Sequence, residues 1–127
     1  MNRVVNIFSK KLTVSLLGLA LAGGMAPGAQ AHAVVTESSL AREPIQANRA
    51  TTVVLFFNAG VELPLSRVFW VSKGDVFHPA EISKGQKPGE LHIRLPALEP
   101  GDYAIKYKVF AADGHLTENA IRFHVAP

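Results

Sequence analysis

Residues 102–110 read DYAIKYKVF, and their alternation decides the fold class: Tyr103, Ile105, Tyr107 and Val109 share one side, Ala104, Lys106 and Lys108 the other. Side chains of an extended chain point alternately to opposite faces, so this period of two marks a half-buried strand. Pro100-Gly101, just ahead of it, signals a tight turn. Working back from there, Glu90–Leu95 sets Leu91, Ile93 and Leu95 against His92 and Arg94. Residues 76–83 contain Pro79, which donates no ladder bond and predicts a short edge strand or a bulge. Residues 66–72 (SRVFWVS) put Val68 and Trp70 on one face and Phe69 on the other. Residues 51–58 (TTVVLFFN) are β-branched and aromatic enough for a buried strand, and 33–38 supply a first one. Forward of residue 110, Ile121, Phe123 and Val125 point inward, with Arg122 and His124 outward. No window carries the i, i+3, i+4 apolar spacing of a helix. Six or seven short strands at this spacing predict an all-β antiparallel sandwich or small Greek-key barrel.

The first 31 residues follow a different logic. Arg3, Lys10 and Lys11 precede an apolar run from Leu12 to Ala22, and the segment closes on Ala29-Gln30-Ala31. That order predicts a secretory signal peptide over 1–31, cleaved to leave one domain over 32–127. The apolar run is shorter than the roughly 20 residues a membrane-spanning helix needs, and no cysteine follows it for a lipid anchor. A soluble periplasmic or secreted product, without stable membrane insertion, is expected. Three of the 13 Lys+Arg lie in the leader and none of the 10 Asp+Glu does. The domain's formal charge is therefore 10 − 10 = 0, which removes the basicity that nucleic-acid binding would need. There is no cysteine, and both methionines, Met1 and Met25, belong to the leader. The domain has neither a disulfide nor a sulfur donor for a soft metal.

Two features carry candidate chemistry. Cleavage after Ala31 would expose His32, whose α-amine and imidazole can chelate one metal ion; the amine, with a pKa near 7.7–8.0, deprotonates readily at neutral pH. Asp113-Gly114-His115 directly follows the 102–110 strand, and Gly114 permits a bend that turns a carboxylate and an imidazole to one point. Asp-Gly by itself is also an ordinary turn signal. Together the two features offer an amine, two imidazoles and a carboxylate. That set suits Cu(II) in a flat arrangement, with Zn(II) and nickel as competitors. His92 and His124, on outward faces, and His78, beside Pro79, read as solvated or structural, and Trp70 and the tyrosines as core or sheet-surface residues. Asp113 and Glu118 form a candidate carboxylate pair with nothing to locate a substrate. Neither a serine-histidine-acid arrangement nor a phosphate loop is visible.

The chain resembles the CopC family of periplasmic copper-resistance proteins. The resemblance rests on His32 after an Ala-x-Ala site, VVLFFN (53–58), LEPGDYAIKYKVFAADGH (98–115) and the closing IRFHV (121–125). It implies a seven-stranded antiparallel Greek-key β-sandwich or barrel, immunoglobulin- or cupredoxin-like. It also implies one Cu(II) per chain, held through His32, Asp113 and His115, and sequestration or delivery to an inner-membrane copper transporter of the CopD type. Three positions depart from the family pattern. Ala59 stands where a glutamate is common near the metal, with Glu62 close by in sequence; Leu40 replaces a first-loop proline; and Asn119 replaces a glycine. The missing methionines imply a Cu(II)-only version. A monomeric binding protein rather than an enzyme is expected. Two alternatives stay open: a copper oxygenase-like enzyme built on a terminal histidine, and a metal-free immunoglobulin-like interaction module.

Overall fold

The computed structural model describes residues 33–127; the segment 1–31 expected to be a signal peptide, and His32, lie outside the described residues. Nine strands follow in chain order: β1 Val35–Ser38, β2 Ile45–Gln46, β3 Thr51–Phe57, β4 Arg67–Ser72, β5 Val76–Pro79, β6 Glu81–Lys84, β7 Glu90–Leu95, β8 Gly101–Phe110 and β9 Leu116–Ala126. They form a four-stranded sheet in the order β1-β3-β7-β6 and a five-stranded sheet in the order β2-β9-β8-β4-β5. Every pairing is antiparallel except the two-residue β2 against β9. Among the described residues the only helical pieces are 3-10 turns at Ser39–Ala41 and Leu63–Leu65.

The period-two pattern does what it predicts. Val53, Leu55 and Phe57 of β3 and Leu91, Ile93 and Leu95 of β7 are buried, as are Val68 of β4, Ile105, Tyr107 and Val109 of β8 and Val125 of β9. Phe57 meets Tyr107 edge-on, ring centroids 5.4 Å apart, as the quadrupoles of two aromatic rings prefer. Full burial of each large aliphatic side chain favours the folded state by about 1.5–3 kcal/mol. The core therefore has to hold the domain together without a disulfide.

The strand count exceeds the expected seven for two reasons. Residues 76–83 are not one bulged strand: the chain leaves the five-stranded sheet after Pro79, passes Ala80 and enters the four-stranded sheet as β6. The Ala80 N–H makes a bond back to the Val68 carbonyl at 2.9 Å, and Pro79 ends an edge strand, where its missing donor costs nothing. β2, following Pro44, is too short to show any alternation.

One end of the sandwich gathers the end of β3, the starts of β4 and β7, and the β8–β9 connection. β8 and β9 pair without interruption from Gly101↔Val125 to Phe110↔Leu116, so the connection between them sits on a stiff base.

Candidate metal centre

Five residues, Ala111 to His115, join β8 to β9. The turn is closed by backbone bonds from Ala111 N to His115 O and from Gly114 N to Ala111 O, both 2.9 Å. Gly114 has φ +91°, in the left-handed region that side chains other than glycine rarely enter. The bend it allows lets Asp113 Oδ1 accept the His115 backbone N–H at 3.1 Å, and Asp113 Oδ2 lies 3.3 Å from His115 Nδ1. Both side chains remain about half exposed. The donated His115 backbone N–H, with help from its side chain, holds the Asp113 carboxyl below the usual aspartate pKa. A carboxylate and an imidazole are thus presented side by side, with the acid ionised at neutral pH.

The turn is strapped to the chain that leaves β3. Ala112 N donates to Gly60 O at 3.0 Å, Val61 bridges Ala111, and Glu62 N donates to Phe110 O at 2.8 Å. Ser66 braces the same corner from within: it is 1% exposed, its Oγ donates to Glu62 O at 2.9 Å and accepts the Phe110 N–H at 3.1 Å.

The other side of that strap grips the chain just after His32. Asn58 Oδ1 accepts the Val34 N–H at 2.8 Å, and Asn58 N donates to Val34 O at 2.9 Å. Ala33, the first described residue, is fully buried. Gly60, two residues beyond the Asn58 clamp, is the one that holds Ala112. In the sequence Asn58 is simply the end of the 51–58 strand, because nothing local reveals a partner 24 residues away.

Of the three expected ligands, Asp113 and His115 are brought together, and His32 is outside the described residues. Among the described residues no group of three or more His, Asp or Glu side chains is assembled to hold a metal, so Glu62 does not join the pair. Glu118 does not pair with Asp113 either: it lies 3.6 Å from Lys108 Nζ. The other histidines have structural partners. His78 sits in β5, stacked on Trp70 with ring centroids 3.8 Å apart and with Nε2 3.0 Å from Ser72 Oγ. His92 Nε2 is 2.6 Å from Glu90 Oε2, and His124 Nδ1 is 2.7 Å from Asp102 Oδ1, so both outward histidines are partnered rather than merely solvated.

Comparison with known proteins agrees with this architecture. A family model described as the CopC domain matches residues 35–126. The chain is similar to the crystal structure of CopC from Methylosinus trichosporium OB3b, at 27% identity and a TM-score of 0.63, over 76% of this chain and 95% of that one. It also shares its fold with PcoC, a methionine-rich copper resistance protein from Escherichia coli, at 21% identity and a TM-score of 0.54, over 75% of this chain and 99% of that one. No curated protein sequence matches it. Nine strands in two sheets and a profile match that begins within the first strand and ends within the last lead to one conclusion: the chain belongs to the CopC domain family.

Proposed function

We propose that the protein is exported to the periplasm, begins at His32 once its leader is removed, and binds one Cu(II) ion through the His32 amine and imidazole, Asp113 and His115. It then buffers that copper or delivers it to an inner-membrane transporter of the CopD type. Membership of the CopC family supports a copper-related role. The observation that carries the ligand set is the pair of straps meeting at residues 58–60: one clamps Val34, the other holds Ala112, next to the Asp113–His115 turn. An amino end starting at His32 would stand two residues from Val34, the residue the first strap holds.

The donor chemistry is consistent with the cupric ion. Nitrogen and carboxylate donors suit Cu(II), and residues 33–127 contain no cysteine or methionine for Cu(I). Asp113 contributes a carboxylate that, like any ordinary aspartate, is ionised at neutral pH, and the His115 N–H favours that charged form further.

The test is the intact mass of the exported protein with and without Cu(II), together with Cu(II) electron paramagnetic resonance. One ion on a chain beginning at His32 is expected, and the signal is lost in His32→Ala and in a form extended ahead of His32. An unchanged signal from the extended form would sink the proposed ligand set.

A further inference from the structure

The outer side of the five-stranded sheet carries a charge arrangement that the fold does not need. Four cations stand on it: Arg67 of β4, Lys106 and Lys108 of β8, and Arg122 of β9. Only two acids share the side, Asp102 and Glu118, giving 4 − 2 = +2. The described residues as a whole carry ten Lys+Arg and ten Asp+Glu, so the rest of the surface is left at −2. Arg67 and Lys108 are direct cross-strand partners, and like charges facing each other across a ladder destabilise it. Glu118 lies 3.6 Å from Lys108, and Asp102 is taken by His124 at 2.7 Å. Arg67 donates to the neutral carbonyls of Pro64 and Ser66, and no acid among the described residues forms an ion pair with it.

Aromatic side chains are interleaved with these cations. Phe77 of the edge strand β5 is 47% exposed, meets Phe69 edge-on at 5.7 Å and has Lys106 Nζ 5.6 Å from its ring centroid. Exposed rings beside cations are the pairing that suits the boundary between lipid headgroups and acyl chains.

We propose that this side of the sheet docks on an anionic phospholipid surface. The charge excess selects a negative partner. The cations are distributed over three strands, about 4.8 Å between neighbours, and mobile headgroups can match them without a socket built for each. An acidic protein would need fixed carboxylates in register and would leave the exposed ring of Phe77 without an apolar counterpart. The proposal does not depend on the copper ligands.

The experiment is co-sedimentation of the exported protein with vesicles of phosphatidylglycerol and phosphatidylcholine in equal parts, against phosphatidylcholine alone, at low and high salt. Binding to the anionic vesicles only, weakening as salt rises, is expected. The double variant Lys106→Gln/Arg122→Gln should bind about 30-fold more weakly, at roughly fivefold per cation. Lys84→Gln/Arg94→Gln, which removes the same charge from the four-stranded sheet, should lose less than threefold. Phe77→Ser should weaken binding without altering net charge and keeps the proposal testable if the double variant folds poorly. Equal loss in both double variants, equal binding to both vesicle types, or binding to soluble polyglutamate in place of vesicles would each overturn it; the last would assign an acidic protein partner.

Discussion

Replacing Asn58 with alanine tests whether the amino end is held in place for the metal. The change deletes Oδ1, the acceptor of the Val34 N–H at 2.8 Å, and leaves the second bond of the clamp, Asn58 N to Val34 O, in place. A net hydrogen bond is worth about 0.5–1.5 kcal/mol. Val34 is 53% exposed, so water can take over part of the lost bond, and the lower part of that range applies, about 0.5–1 kcal/mol. If the clamp holds the first residues in their metal-bound position, the same free energy is lost from copper affinity. The Kd should then rise about two- to fivefold. The assay is competition against a chelator of known Cu(II) affinity, followed by the visible absorption band, alongside hydrogen exchange at the Val34 amide. Asn58→Asp retains an acceptor oxygen and should keep both protection and affinity. If Val34 loses its protection in Asn58→Ala and the Kd does not move, the clamp has no part in holding the amino end for copper.

Ser66→Ala takes the Oγ acceptor from the Phe110 N–H in a site that is 1% exposed and leaves the Glu62 carbonyl with only the Leu65 N–H at 3.1 Å. A loss of about 2 kcal/mol and a fall in Tm of about 10 °C are expected by calorimetry. Gly89→Ala would put a Cβ 2.4 Å from Phe57 O and 2.9 Å from Ala59 O at φ +81°, and should cost more than about 3 kcal/mol. Gly74→Ala has a similar φ of +82° with nothing within 4 Å, and denaturant unfolding should find only about 1 kcal/mol there. The hydrogen bond to the His92 side chain, followed by the Lys87 backbone N–H, holds the Glu90 carboxyl below its usual pKa. A group depressed on folding contributes stability above its unfolded pKa and loses that contribution as pH falls through the folded value. His92→Ala should therefore move the Glu90 carboxyl-carbon titration upward and make the melting temperature less sensitive to acid; an unmoved titration would refute the pairing.

The strands were legible because their side chains answer to burial, which is a local pattern: β4, β7, β8 and β9 sit where alternation puts them, and β3 where a β-branched, aromatic run does. The passage from β5 to β6 was not, since a proline at residue 79 signals only that no ladder donor is available there and is silent on which sheet receives the next residue. β2 pairs through two residues, too few for any periodicity to show. At the candidate site, Asp113 and His115 could be read from three adjacent letters because a glycine bend brings neighbours together. The strap from Asn58 to Val34 and that from Gly60 to Ala112 join residues far apart in the chain. Only the assembled sandwich specifies them.

The corner at Ala80 has a mechanical consequence. One residue separates a strand of one layer from a strand of the other, so the main chain itself stitches the two sheets along that border. With no cysteine to supply a cross-link, this seam resists shear between the layers: neither can delaminate without dragging a strand of its neighbour out of register.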